Sequence, residues 1–270
     1  MTFTNQVTAT PDPPSTGVHN PIHDAEGADA AGYAGALVAG VRTYGWAVQT
    51  IVAALGPRWR ATGWVDVQLL RPLYAGEILT TKVSGSEIDV ALSCEVTDKK
   101  VVMTGAAGHG SAPWADDLNT PETAPAGKTK IPLPTYELNT APLNQPLVPL
   151  GAWVTNATAQ DIVAQDLGID DQHYSDQANA TPIHPYFIAG RMAPLTRHNF
   201  TYGPTIHVRS QIQNVREARS DRQIVVGAQI VEVYERKGHW YQVLDGIVTD
   251  EEGVLATIRH HTIFRPRLAG

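Results

Sequence analysis

Apolar and polar residues alternate along four runs in the first half of the chain: Thr62–Leu70, Glu77–Val83, Glu87–Thr97 and Lys100–Ala107. Alternation with period two predicts strands with one buried face. Four more such runs close the chain, at Thr205–Gln213, Gln223–Tyr234, His239–Thr249 and Val254–Phe264. Ahead of the first set lie a polar turn, Gly17 to Asp24, and a Gly- and Ala-rich stretch, Tyr33–Leu55, that is apolar on nearly every side. Such a stretch predicts a helix enclosed by its neighbours, too short and too often interrupted for a clean membrane span. Ahead of the second set come a short helix at Thr158–Leu167, a polar turn at Gly168–Asp176 and a helical stretch near Ile183–His198. Ser111–Leu150 collects eight prolines and shows neither periodicity, which predicts an extended linker laid over the surface.

The chain therefore divides into residues 1–110, a linker 111–150, and residues 151–270. The two flanking parts repeat one order of elements, and two short echoes suggest that they are diverged copies. Glu95-Val96-Thr97-Asp98 returns in Gly246-Ile247-Val248-Thr249-Asp250, and Gly17-Val18 returns in Gly168-Ile169, at offsets of 152 and 151 residues (98 to 250, 17 to 168). An all-round apolar helix next to four antiparallel strands calls for an α+β fold of two curled sheets, each wrapped around its central helix. Pairing those sheets edge to edge would hide two strand edges inside the chain.

Composition narrows the function classes. At 270 residues, 43% hydrophobic and 17% charged, the chain can bury substantial cores and is not disordered as a whole. Its net charge of −7 argues against nucleic acid, whose affinity comes from clustered Lys and Arg. Cys94 is the only cysteine, so no disulfide forms within the chain. The first sixteen residues lack the basic and apolar regions of a secretory signal and read as a frayed, Pro-rich arm. A cytoplasmic protein without a membrane partner is the expectation. His260 and His261 are adjacent on a predicted strand and point to opposite faces, so no metal is expected.

The densest chemistry lies in His19-Asn20-Pro21-Ile22-His23-Asp24, followed by Tyr33-Ala34-Gly35-Ala36-Leu37-Val38-Ala39-Gly40. By residue type alone, His23 can be a proton carrier or a turn cap, Asn20 a cap, and Gly40 a close-packing glycine. This segment, with Arg71-Pro72-Leu73-Tyr74-Ala75-Gly76-Glu77 and the later Gly203-Pro204-Thr205-Ile206-His207-Val208 and Val233-Tyr234-Glu235-Arg236-Lys237-Gly238, resembles the MaoC-like (R)-specific enoyl-CoA hydratase/dehydratase family. The similarity is to its double hot-dog type, and it covers most of both copies.

The resemblance implies a small-molecule acyl thioester as substrate, on CoA or a carrier protein, and no further cofactor. It implies that His23 transfers protons, that Asn20 orients the loop or the water, and that the Gly40 amide holds the thioester oxygen. The family's acidic partner falls on Val18, which cannot carry a proton. His19, Asp24, Asp170 and Asp171 are the candidate substitutes. Tyr33, Arg42 and Arg191 are candidate substrate contacts, with Arg197 and His198 near a CoA phosphate. Tyr174 aligns with His23, which makes the second turn degenerate. A homodimer of double hot dogs is expected. Four functions stand side by side: hydratase/dehydratase, thioesterase, a related lyase or cyclase, and a non-catalytic acyl-CoA binder. The absence of Asp or Glu from Tyr33–Leu55 counts against the thioesterase, because that helix is where such enzymes usually carry a carboxylate.

Overall fold

The computed structural model describes residues 1–13, 20–175 and 180–267. In the first half, strand β1 (Thr2–Thr8) is followed by a one-turn 3₁₀ segment, Pro21–His23, and by helices α1 (Ala25–Ala30), α2 (Gly40–Leu55) and α3 (Trp59–Thr62). Strands β2 (Gly63–Leu69), β3 (Ile78–Gly85), β4 (Asp89–Val96) and β5 (Lys100–His109) complete it. In the second half come β6 (Leu150–Val154), α4 (Asn156–Asp161) running into a π-helical turn at Ile162–Leu167, and a 3₁₀ turn at Gln172–Tyr174. Helices α5 (Pro185–Ala189) and α6 (Met192–Asn199) precede β7 (Ile206–Asn214), β8 (Arg222–Arg236), β9 (His239–Asp250) and β10 (Gly253–Arg265).

All ten strands form one sheet in the order β1-β3-β4-β5-β2-β7-β10-β9-β8-β6. The order is palindromic in kind, since β1, β3, β4, β5 and β2 mirror β6, β8, β9, β10 and β7. The repeated element order read from the sequence thus has a topological counterpart, and both halves of the longer echo end at equivalent hairpins. The seam is the antiparallel β2–β7 pair, Trp64 opposite Gln213 through Gln68 opposite Arg209. It removes two free edges, the expected reason to pair the sheets.

Helix α2 is the core of the first half. Tyr44, Trp46, Ala47, Val48 and Ile51 are all at most 1% exposed, and each of the larger side chains contributes roughly 1.5–3 kcal/mol of burial. The helix begins at Gly40, seven residues later than the sequence pattern suggests. Residues 33–39 are held extended instead, because Leu37 N–H donates to Ile22 O and Val38 N–H to Leu73 O. In the second half the central helix is broken after Ala189, where Gly190 caps α5. Pro194 is accommodated because it sits in the first turn of α6, where its missing N–H costs no helix bond.

Two expectations are corrected. The N-terminal arm is not frayed over its first residues: Thr2–Thr8 pairs in register with Ser84–Ile78. Its polar composition hid it, because only alternate residues are even half buried. The short edge strand β6, hidden at the end of the Pro-rich segment, pairs with β8 from Leu150 opposite Val226 to Val154 opposite Arg222. The rest of 111–150 is mostly irregular, with a 3₁₀ turn at Ala115–Asp117, and is pinned by Tyr136, which stacks on Phe200, and by buried Leu147.

Candidate functional site

The polar turn before α1 is built by local chemistry. Pro21 supplies a fixed φ at the first position of the 3₁₀ segment, and Asp24 then caps α1 by accepting from Gly27 N–H at 2.8 Å. Ile22, 1% exposed, anchors the turn against Ala28 and Leu37. Asn20 stands at the N-cap position of the 3₁₀ segment, but its side chain makes no capping bond there. Its side chain crosses to the other half of the chain, where Nδ2 donates to Thr205 O at 2.9 Å and Oδ1 accepts from Thr205 N–H at 3.0 Å. The second Nδ2 proton points to His23 Nε2 at 3.2 Å.

His23 Nδ1 faces two acceptors, Leu37 O at 2.7 Å and Asp12 Oδ2 at 3.0 Å, so this nitrogen carries a proton. Nε2 is left as the acceptor of the neutral ring. Asp12 is the acidic partner that sequence reasoning missed. It lies eleven residues upstream in a segment without periodicity, and no spacing rule points to it. Its carboxylate also receives Arg42 Nη1 at 2.9 Å and Ala39 N–H, 3.2 Å from Oδ1 and 3.1 Å from Oδ2. Burial opposes charge on both partners, yet the mutual hydrogen bond and attraction win: Asp12 lies below the usual carboxylate range and His23 above the usual imidazole range. Arg197 works against the imidazolium from the second half.

His23 and Asn20 line a cavity of about 320 Å³ at the first turn of α2, together with Tyr33, Gly40, Leu69 and Arg71. The second half supplies the opposite wall, including His207, Tyr241, His260 and Thr262. Gly40 begins α2, and its amide has no partner among the described residues, as expected of a first-turn N–H. A Cβ there would lie 2.3 Å from Leu69 Cδ2 and 3.2 Å from His207 Nδ1, so the position is also close-packed.

Asn20, His23, Tyr33 and Gly40 therefore meet at one cavity, and several other candidates do not. Arg42, 1% exposed, points away: its guanidinium donates to Thr10 O at 2.7 Å and, through Nε, to Asp166 O at 3.0 Å. It ties the arm carrying Asp12 to the carbonyls ending the π-helical turn, beside Trp46, whose Nε1 donates to Leu167 O. Asp24 is engaged in capping. Arg191 stacks over Phe187 at 3.9 Å and is absent from the cavity lining. Arg197 lies over Tyr202 at 4.6 Å, and His198 pairs with Gly127 O. Asp170 is exposed in the second turn. Asp171 belongs to that turn too, where it accepts from Arg60 Nη2 at 3.1 Å. Val18 and His19 lie outside the described residues.

The second turn carries buried Tyr174 where the first has His23. Arg60 Nε donates to the Tyr174 hydroxyl at 3.1 Å, and His184 packs its ring 5.0 Å away. Burial drives the Tyr174 phenol and the His184 imidazole towards their neutral forms. Among the described residues, no group of three His, Cys, Asp or Glu side chains could hold a metal ion. No helix of the described residues is long and apolar enough to cross a membrane.

No family model and no curated protein matches the sequence. Solved structures do match in shape. A Chloroflexus aurantiacus chain described as a MaoC domain protein dehydratase aligns with a TM-score of 0.64 at 11% identity, over 100% of this chain and 95% of its own. A Mycobacterium tuberculosis protein with a double hotdog fold aligns at 0.59 and 13% identity, over 91% and 86%. A Lactobacillus plantarum chain described as an oleoyl thioesterase aligns at 0.52 and 10% identity, over 100% and 98%. At such identities the likeness establishes the double hot-dog fold, on which dehydratases and thioesterases are both found.

Proposed function

We propose that the protein adds water to, or removes it from, an α,β-unsaturated acyl thioester. The observation that carries this reading is the Asp12–His23 pair, set on the wall of a cavity whose floor is the first turn of α2. A thioester carbonyl at that turn would accept from the Gly40 amide, where the helix dipole favours the negative charge of an enolate. A water beside His23 Nε2 competes only with the long Asn20 contact. His23 takes a proton from that water as the oxygen bonds to the β-carbon, and Asp12 stabilises the imidazolium. The imidazolium then gives the proton to the α-carbon, so water is added across the double bond and the histidine returns to its starting state.

Hydrolysis is the competing reading, since the same pair could aim water at the thioester carbonyl itself. Against it, α2 carries no acidic residue. The test assays enoyl and 3-hydroxyacyl thioesters of CoA for loss or gain of the conjugated double bond, with thiol release measured in parallel. Wild type should interconvert them without releasing thiol. His23→Ala should lose about a hundredfold or more in kcat, the usual share of a general acid–base group, while remaining folded. Full activity in that variant, or steady thiol release, would overturn the proposal.

A further inference from the structure

The second half links three side chains beside this cavity, two of which line it, and the device that does so is visible in the register of β7 against β10. Arg209 pairs with His261, but the next pair is His207 with Thr262, so Val208 is an extra residue in β7. The bulge puts His207 on the same face as Ser210, which regular alternation would forbid. Ser210 Oγ, 1% exposed, then lies 2.8 Å from His207 Nε2 and 2.9 Å from His260 Nδ1. The hydroxyl accepts from one ring and donates to the other, so the chain can run in either direction. His260 is 5% exposed and lines the cavity, yet its Nε2 has no partner among the described residues. A buried ring nitrogen left so is costly, which points to a ligand that completes it.

We propose that His260, held by Ser210 and His207, is a recognition site for a neutral oxygen on the acyl group. The substrates are thus oxygenated acyl thioesters, carrying a hydroxyl or ketone beyond the reacting carbons, rather than plain alkyl chains. This inference rests on the thioester reading above. Because the chain is reversible, His260 Nε2 presents a donor to a ketone and either a donor or an acceptor to a hydroxyl. Burial holds His207 down to about 4, and His260 is lowered for the same reason with His207 and His261 adding to it. Both rings are uncharged at neutral pH, so an anionic tail gains no ion pair here. Arg71, the lining guanidinium, is exposed to solvent.

Binding of unreactive saturated thioesters separates this inference from catalysis. Calorimetry would compare hexanoyl-CoA with hexanoyl-CoA bearing a hydroxyl or keto group at carbon 4, 5 or 6. At least one oxygenated chain should bind about tenfold more tightly than the plain chain, as one hydrogen bond to a buried group allows. The preference should vanish in His260→Leu and persist in His260→Gln, whose amide can still pair. If either variant fails to fold, the wild-type series alone decides. Plain hexanoyl-CoA binding as tightly as every oxygenated chain overturns the inference and leaves the hydratase reading standing. Failure of every thioester to bind overturns both.

Discussion

Replacing Asp12 by Asn tests the centre of the proposed chemistry, because it removes one charge and keeps the shape. The carboxylate oxygen 3.0 Å from His23 Nδ1 becomes a neutral acceptor, or a donor if the amide flips. A hydrogen bond to a charged group contributes about 1.5–3 kcal/mol where a neutral one contributes about 1. Arg42 shares the carboxylate, and the His23 and Asp12 side chains keep 21% and 17% of their surface exposed, so the lower figures apply. The charged bond of about 1.5 kcal/mol becomes a neutral one of about 1, so the imidazolium that forms in the transition state should lose about 0.5 kcal/mol, roughly twofold in kcat. The pH profile moves as well. Asp12 is what raises His23 against burial and Arg197, so without it the His23 pKa falls. The acidic limb of kcat/KM, which reports a base that must be neutral in the free enzyme, should shift to lower pH. Rates of hydration measured from pH 4 to 9 would check both effects. An unchanged kcat with an unmoved acidic limb would refute the role of Asp12, and a limb moved upward would refute the electrostatic account.

Stability should follow the same pair. His23, raised in the fold, stabilises at low pH and loses that contribution as pH rises through its folded pKa, whereas Asp12, lowered, loses its contribution as pH falls through its own. The melting-temperature gap between wild type and Asp12→Asn should therefore be widest between those two values and narrow on either side. Gly40→Ala should cost about 1–3 kcal/mol through its clash with Leu69, and Gly40→Ala/Leu69→Ala should recover part of the melting temperature in thermal scans. Arg60→Met, which leaves Asp171 and Tyr174 without their partner, should cost about 1–3 kcal/mol in urea unfolding and leave kcat unchanged, the second turn being structural. Val18→Asp should bring no gain in hydration rate, since Asp12 already serves His23.

Eight of the ten strands were legible from their apolar and polar alternation, which placed their ends within one or two residues. The first turn was legible because Asn, Pro and His each have a narrow local use. What stayed hidden depends on tertiary contacts. Strand β1 presents Thr, Asn and Gln and earns its register from β3 rather than from its own pattern. Arg42 looked like a cavity residue because a guanidinium in an apolar helix needs a reason. The reason is the arm and the π-helical turn, both remote in sequence. Asp12 reaches His23 only because Arg42 and the Ala39 amide fix it there.

The cavity also bears on why the two halves share one chain. The turn carrying Asn20 and His23 and the start of α2 come from the first half, whereas Thr205, His207, Tyr241, His260 and Thr262 come from the second. Asn20 bridges them through the Thr205 backbone, so the geometry of the turn depends on the start of β7. A first half alone would lose that anchor and the opposite wall, and would expose β2 as an unpaired edge. The second half's own turn carries a phenol held by Arg60 where the first carries the His23 imidazole. Two halves of mirrored strand order thus line a single cavity that neither could enclose alone, and one chain keeps the unlike halves paired at equal ratio.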